Sequence, residues 1–233
     1  MGRKASEAAL SVLDLGKADE GDKAKAEAAA EAAMNAIDWE ALIDPTEEEL
    51  LAVARDGVRE AMLRMGITDE DIINQAYEEA AQWASERSAE MIGMKRNADG
   101  DLVPDSKAEF NISETARDEI QSKVETAIQE GWSAQDLADE IEDVGSFSAD
   151  RALMIARTEI IRANNEGHLI AFRESGVVEM KAWTTAEDGD VCEICQGNED
   201  QGPIPLDDAF ESGDDAATAH PNCRCTIIAV IPD

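Results

Sequence analysis

The chain has 233 residues, of which 43% are hydrophobic, so it is long enough to bury the core of one large domain or two small ones. Its 53 aspartates and glutamates outnumber its 20 lysines and arginines, which leaves a formal net charge of −33 at pH 7. A surface without clustered cations cannot displace the counterions of nucleic acid, so DNA contact is not expected.

The sequence also lacks the signals of membrane and secreted proteins. No stretch reaches the roughly 18 consecutive apolar residues of a membrane span, and the first residues contain no apolar signal region. Aromatic residues make up only 4% of the chain, whereas Ala, Leu, Ile and Met recur at helical spacing. We therefore expect a mainly α-helical protein that is made in a cytoplasm and has no membrane anchor.

The first segment, residues 1–45, is rich in alanine and acidic residues. Its helix propensity is high, but it has few large side chains with which to anchor itself. We interpret it as an N-terminal arm. The alternative is a partly ordered terminal tail, because chain ends often fray.

Residues 46–176 are predicted to form a helical bundle. Apolar residues with a 3.6-residue period indicate five helices, which begin near Thr46, Thr68, Phe110, Ser133 and Ser148. The last of these, up to Gly176, has apolar residues on several faces and is expected at the centre of the bundle. Between the second and third helices, Asn97–Asp101 is predicted to be a polar turn. It is not an EF-hand calcium loop, because Lys95 occupies the first ligand position.

Residues 177–233 differ in character from the rest of the chain. Alternating side chains predict short strands over residues 177–183 and 226–231, with an acidic segment between them. This part contains too few apolar residues to fold by burial alone, so a small α/β subdomain needs another source of stability.

All four cysteines lie in this weak part, in two clusters that suit a zinc site. Cys192 and Cys195 form a CxxC pair, and His220, Cys223 and Cys225 follow as a second cluster further along the chain. Two such clusters supply the thiolate and imidazole ligands of a closed, structural zinc site. The alternatives are disulfides and free or redox-active thiols. Disulfides fit poorly with a chain that lacks a secretion signal. A redox-active CxxC pair of the thioredoxin type would need a βαβ unit around it, and the sequence predicts none here.

Five candidate ligands compete for four places in a tetrahedral site. Cys223 and Cys225 lie on the same side of an extended segment, so the spacing does not decide between them. Our preferred set is Cys192, Cys195, His220 and Cys225, with Cys223 as a substitute or supporting residue. No catalytic constellation is found: His168 is the only other histidine, and we expect it to be packed or solvent-facing.

Several motifs occur in a characteristic order along the C-terminal half of the chain. They are Arg151-Ala152, Ile155-Ala156-Arg157-Thr158-Glu159, Asn165-Glu166-Gly167, Trp183 followed by Asp188, the CxxC pair, and His220-Pro221-Asn222-Cys223-Arg224-Cys225. The series resembles the minor head, or head-morphogenesis, proteins of tailed bacteriophages, the phage Mu F-like family. The resemblance covers residues 148–233 in motifs and 46–233 in architecture.

The resemblance implies a structural, non-enzymatic component of the virion head, made in the host cytoplasm and located near the portal vertex. Its partner would be the portal protein, with the major capsid or scaffold protein as a further one, and its role would be head assembly and sometimes genome delivery. The motif positions carried over to this chain are Arg157, Thr158 and Glu159, Trp183, and the Cys/His cluster, which would hold structural zinc.

The Arg-Thr-Glu stretch also has an interpretation from its spacing. Arg157 and Glu159 point to different sides of their helix, so each is expected to reach a different neighbouring element. The alternative is a pair of exposed charges without structural effect. Two other functions fit parts of the sequence: a zinc-dependent hydrolase, which would need an open coordination position, and a zinc-knuckle nucleic-acid-binding module, which would need cations that the chain lacks.

Overall fold

The computed structural model describes residues 2–12, 22–105, 107–108, 112–130, 132–143 and 148–231. Its helices are α1 (Gly2–Val12), α2 (Asp22–Asn35), α3 (Ile43–Arg64), α4 (Glu70–Glu90), α5 (Ile112–Glu130), α6 (Ala134–Glu142), α7 (Ala149–Ser175) and α8 (Glu193–Asp200). Its strands are β1 (Met94–Arg96), β2 (Leu102–Pro104), β3 (Met180–Thr184), β4 (Ile204–Pro205) and β5 (Thr226–Val230). The protein is mainly helical with small sheets, as the composition predicts.

The chain divides into two compact units, each assembled from two stretches of sequence. Unit 1 contains residues 1–44 and 88–153, and unit 2 contains residues 45–87 and 154–233. The domain boundaries expected from the sequence, after residues 45 and 176, follow changes in composition along the chain. They remain a prediction.

Unit 1 has a core that is built largely from alanine. Helix α1 packs against α2 and α6, and α2 packs against α5. The buried side chains are Ala5, Ala9, Ala26, Ala29, Ala30, Ala33, Met34, Ile37, Ala116, Ile120, Val124, Ala127, Leu137 and Ile141. For the described part of residues 1–45, the expectation of an arm without a core of its own is therefore wrong. Small side chains let the helices approach closely, so large ones are not needed; residues 1 and 13–21 lie outside the described residues.

A hairpin of β1 and β2 surrounds the polar turn that the sequence predicts at Asn97–Asp101. The Asn97 Oδ1 atom accepts hydrogen bonds of 2.9 Å from the backbone N–H groups of Asp99 and Asp101. Gly100 has φ +87°, a conformation that glycine adopts without strain. The turn is confirmed. The two strands escaped prediction because each is too short to show a clear period.

Unit 2 combines the residues of α3, α4 and α7 that lie in it with a three-stranded antiparallel sheet of order β4–β3–β5. Strands β3 and β5 confirm the two strands expected from alternation. Helix α3 starts at Ile43 and not at Thr46, because Pro45 is tolerated in a first turn, where its missing N–H has no intrahelical partner. Helix α8 was not predicted, because its acidic sequence has almost no apolar period.

Two glycines allow the backbones of α3 and α7 to touch. A Cβ atom on Gly167 would lie 2.1 Å from the backbone oxygen of Ala54, and one on Gly57 would lie 2.4 Å from the backbone oxygen of Asn164. Both obstacles are backbone atoms, which cannot rotate away as a flexible side chain can. The crossing of these helices therefore requires glycine at both positions.

We expect Gly167→Ala to destabilise the protein by about 1–3 kcal/mol or more, because α3 and α7 must separate to admit the methyl group. Chemical denaturation monitored by circular dichroism measures this loss. Gly197→Ala in α8 is the matched control: a Cβ there meets nothing within 4 Å, so this change should stabilise the helix slightly. Equal stability of the two variants would contradict the close crossing.

Candidate metal centre

The first two cysteines are positioned by the start of helix α8. Cys192 is the N-cap residue, and its Sγ atom accepts a hydrogen bond of 3.4 Å from the backbone N–H of Cys195. One turn of helix then brings the Cys195 thiol to the same side as the Cys192 thiol. The start of the helix therefore explains the CxxC spacing, because the side chain of an N-cap residue faces the residue three positions later.

The second cluster comes from the turn that precedes β5. The Nε2 atom of His220 lies 3.2 Å from the Sγ atoms of both Cys192 and Cys195. The Sγ atoms of Cys195 and Cys223 are 3.6 Å apart. The turn is closed by a 3.1 Å hydrogen bond from the backbone N–H of Cys223 to the carbonyl of His220, and Asn222 within it has φ +59°. Two clusters that are distant in sequence are therefore brought together.

The candidate ligands form two overlapping groups, within each of which all ligand atoms lie within 4.8 Å of one another. One group is Cys192, Cys195 and His220, the other is Cys195, Cys223 and Cys225, and Cys195 belongs to both. All four cysteines are free thiols. In a tetrahedral zinc site, S···S and S···N separations are about 3.8 and about 3.6 Å, because Zn–S and Zn–N bonds are about 2.3 and about 2.0–2.1 Å long. The observed S···S distance of 3.6 Å and S···N distances of 3.2 Å are close to these values, so the cluster can hold a metal ion.

The histidine is oriented for metal binding. The Nδ1 atom of His220 lies 2.9 Å from the carbonyl oxygen of Pro221, to which it can donate its hydrogen. The unprotonated Nε2 then faces the two thiols. A hydrogen bond on the far ring nitrogen is the usual support of a metal-bound histidine, because it fixes the tautomer and the ring orientation.

The thiols differ in how readily they ionise in the metal-free protein. The backbone N–H of Cys195, at the start of α8, holds the pKa of Cys192 below its ordinary value. Burial raises the pKa of Cys195, and the neighbouring thiols Cys225 and Cys223 raise it further. Burial also raises the pKa of Cys225. Buried thiols in close contact, which resist ionisation in the absence of a cation, suit a site whose charge a metal ion would balance.

Two residues of the Arg-Thr-Glu stretch tie helix α7 to its surroundings. The Oγ1 atom of Thr158 donates to the Met154 carbonyl at 2.8 Å and accepts at 2.9 Å from the backbone N–H of Asn222, in the turn of the second cluster. Glu159 forms a bidentate pair with Arg87 of α4, with hydrogen bonds of 2.8 and 2.7 Å. Thr158 therefore holds the metal-site turn, and Glu159 holds α4.

Arg157 behaves differently from Glu159. Its side chain is exposed and makes no hydrogen bond or ion pair within the described part of the chain. The expectation that Arg157 reaches a neighbouring element is therefore corrected, while that for Glu159 holds. The reason is the helical period, which turns position 157 to solvent when positions 158 and 159 face inward.

Trp183 is buried beside the cluster. Its ring meets that of Phe210 edge to face, with centroids 5.1 Å apart and planes at 78°. Trp183 belongs to the same buried apolar cluster as Cys195, Cys223 and Cys225. Aromatic pairs of this geometry contribute about 0.5–1.5 kcal/mol beyond the area that they bury.

The sequence motifs include Asn165 and Arg224, but sequence reasoning predicted no role for either residue in supporting the site. The side chain of Asn165, on α7, donates to the carbonyl of Cys225 at 3.1 Å and accepts from the backbone N–H of Ile227 at 2.9 Å. Arg224 forms a bidentate pair with Asp188, which joins the HPNCRC segment to the loop before α8. A buried asparagine within an apolar helix face was the available signal for the first; the second pair is too far apart in sequence to infer.

The comparisons with known proteins point to one family. The model of the family described as Phage Mu protein F like protein matches residues 118–228, a range that includes the whole Cys/His cluster. No curated protein and no solved structure matches the chain. Among the described residues, no helix is both long and apolar enough to cross a membrane.

Proposed function

We propose that this chain is a phage head protein, and specifically a minor head protein of the portal vertex, because the model of the phage Mu protein F-like family matches residues 118–228. In this proposal it acts in head assembly, and a part in genome delivery follows from the same location. It is a structural protein and not an enzyme. Its partner is the portal protein, with the major capsid or scaffold protein as a second contact. The family match is the observation that carries the proposal.

Charge supports a protein partner over DNA. At a net charge of −33, the chain would repel phosphates over most of its surface. Protein surfaces of opposite charge are attracted instead, and such attraction raises the rate at which the partners meet. A protein that remains in a head packed with DNA, without binding the DNA, is consistent with this balance.

The direct test is purification with the portal ring. The full chain and the portal protein of the same phage are expressed together, and the ring is isolated through a tag on the portal protein. We expect the chain to remain on the ring, and heads made without it to be incomplete or not infectious. Normal, infectious heads in its absence would contradict a role in assembly.

We further propose that the Cys/His cluster binds one structural zinc ion through Cys192, Cys195, His220 and Cys223. The fourth place goes to Cys223 because its sulfur lies 3.6 Å from that of Cys195, close to the S···S separation of a tetrahedral zinc site. Bound zinc would supply the cross-link that this acidic, weakly apolar segment lacks. Cobalt substitution tests the set: Cys223→Ser should weaken the thiolate-to-cobalt absorption, and Cys225→Ser should leave it. If Cys225→Ser weakens the absorption and Cys223→Ser does not, the fourth ligand is Cys225, as in the set preferred from the sequence.

Arg157 offers a prediction about the partner surface. Since its side chain is exposed and makes no contact within the described residues, Arg157→Ala should leave the melting temperature unchanged. If the portal ring contacts this face of α7, the same change should reduce the amount of chain on purified rings at least about tenfold.

Arg117→Ala, another exposed arginine on a helix, is the matched control and should remain on the rings at the normal level. A lower melting temperature for Arg157→Ala would reveal a contact inside the chain. Normal incorporation would move the portal contact to another surface.

A further inference from the structure

Strand β5 is an outer strand of its sheet. It pairs with β3 on one side, from Thr226 opposite Thr184 to Val230 opposite Met180, and β3 pairs with β4 on its other side. An outer strand presents unpaired backbone N–H and C=O groups, onto which another strand can add. The free edge of β5 is therefore a possible binding surface.

A side chain occupies the first part of this edge. The amide of Asn165 bonds to the carbonyl of Cys225 and to the N–H of Ile227, as a neighbouring strand would. These two bonds also show which residues face away from β3. Because backbone groups alternate along a strand, Ala229 is the next residue to direct its N–H and C=O outward. Among the described residues, none hydrogen-bonds to either group of Ala229.

A groove of about 250 Å³ lies beside this open part of the edge. It is bounded by α3, α7 and β5, and its lining includes Met65, Phe172, Ile227, Ala229 and Ile231. Pockets that enclose whole small molecules measure roughly 300–1,000 Å³, so this groove is better suited to a few side chains of a peptide. An open strand edge and an apolar groove thus lie side by side.

His168 adds an independent sign that something binds here. It lines the groove and is only 6% exposed, yet neither of its ring nitrogens makes a hydrogen bond within the described residues. The Oε2 atom of Glu60 lies 3.8 Å from its Nε2 atom, beyond hydrogen-bond distance. Buried polar groups are nearly always hydrogen-bonded, so an unpartnered imidazole in a groove calls for a ligand that supplies the missing bonds.

We propose that the outer edge of β5 binds an extended segment of another protein as an additional strand, with apolar side chains in the groove and positively charged side chains toward solvent. The backbone of Ala229 pairs with the segment, and His168 hydrogen-bonds to it. A second copy of this chain is disfavoured as the occupant, because each copy carries a net charge of −33 and the two would repel. A cationic segment is attracted by the same charge.

This inference goes beyond the role in head assembly and does not depend on the metal site. It names a surface and a mode of recognition, in which main-chain hydrogen bonds supply affinity and alternate side chains supply specificity. Failure of the portal experiment would leave it intact, since the test below uses no phage component.

The probe is a synthetic ten-residue peptide of alternating lysine and valine, acetylated and amidated at its ends. It is titrated into the full chain at physiological salt concentration, and amide hydrogen exchange is followed by NMR. We expect exchange of the Ala229 amide to slow at least tenfold when the peptide saturates the protein. A peptide of the same sequence that is N-methylated at every residue keeps the charge but cannot form the ladder, and it should bind at least tenfold more weakly.

Ala229→Pro is the protein variant that tests the edge. Proline removes an outward N–H and is tolerated at a sheet edge, so pairing with β3 and the melting temperature should be preserved while the peptide binds at least tenfold more weakly. Ala229→Ser keeps the N–H and is the matched control. If Ala229→Pro fails to fold, His168→Phe serves instead: it fills the same space without ring nitrogens and should weaken binding several-fold.

Three results would overturn the proposal. If the N-methylated peptide binds as tightly as the unmodified peptide, binding is due to general charge attraction and not to main-chain hydrogen bonds. Unchanged exchange at Ala229 in the presence of bound peptide would place the binding elsewhere. A dimer in sedimentation experiments that Ala229→Pro abolishes would show that a second copy, and not a cationic partner, occupies the edge.

Discussion

Cys195→Ser is expected to abolish metal binding and to cost the C-terminal part of the protein its fixed structure. Cys195 is the one residue that both groups of candidate ligands share, so without it the remaining candidates fall into two separate pairs, Cys192 with His220 and Cys223 with Cys225. Zinc binding contributes about 10 kcal/mol or more to the folding of small zinc domains. That contribution is large compared with the net stability of a typical domain, and the acidic segment has little apolar burial to replace it. Zinc content by mass spectrometry and the near-ultraviolet circular dichroism of the tryptophans measure both effects.

Ile194→Ser is the matched control for this experiment. Ile194 lies in the same turn of α8, but its side chain is exposed, so this variant should keep both zinc and tertiary structure. A strong chelator should reproduce the Cys195→Ser result in the unmodified protein, while the helices of unit 1 keep their far-ultraviolet signal. Absence of zinc, together with fewer than four free thiols under non-reducing denaturation, would show that the cysteines form disulfides.

The second large effect is expected at the ion pair between α4 and α7. The side chains of Arg87 and Glu159 are 15% and 10% exposed, and two short hydrogen bonds join them. Removing one member breaks a nearly buried bidentate pair, which costs about 3 kcal/mol or more; Arg162, whose Nε atom lies 3.7 Å from Glu159 Oε1, offsets part of this loss in Arg87→Ala. Arg87→Ala or Glu159→Ala should therefore lower the melting temperature by roughly 6–12 °C in a protein of this size.

A double-mutant cycle separates the pair from simple loss of packing. The variant that lacks both side chains should be more stable than the sum of the single losses predicts, because that sum counts the interaction between the two side chains twice. The exposed pair of Arg59 and Asp56, with side chains 64% and 70% exposed, provides the control, and Arg59→Ala should change stability by less than about 1 kcal/mol. Additive losses at Arg87 and Glu159 would show that the pair is screened by solvent.

Helical periodicity located the long helices well, because each buries an apolar face that recurs at the helical period. The same logic failed for the alanine-rich segment: Ala26, Ala29, Ala30 and Ala33 are buried, but alanine is equally common on exposed helix faces and so gives no sign of burial. It also failed for α8, which is held by its N-cap cysteine and the loops around it. Composition alone does not reveal a helix that is stabilised by contacts with neighbouring segments.

The Cys/His cluster could be inferred because cysteine is rare in this chain and every one lies in the same segment. Spacing could not choose between Cys223 and Cys225, since that choice depends on the turn around Asn222. Nor could it identify Asn165, whose role is to bond to the backbone of a strand that is remote in sequence. Contacts of this kind depend on tertiary structure, which a local pattern does not contain.

The discontinuous composition of the two units has a consequence for synthesis on the ribosome. Because unit 1 joins residues 1–44 to residues 88–153, its N-terminal helices emerge long before the helices that cover them. Unit 2 likewise waits for β5 before its sheet can close. Neither half of the chain can complete its core early in synthesis. Alanine-rich helices are an advantage in this situation, because partly folded chains that expose little apolar surface are less prone to aggregate. A nascent chain arrested after residue 87 should therefore remain sensitive to protease along its whole length.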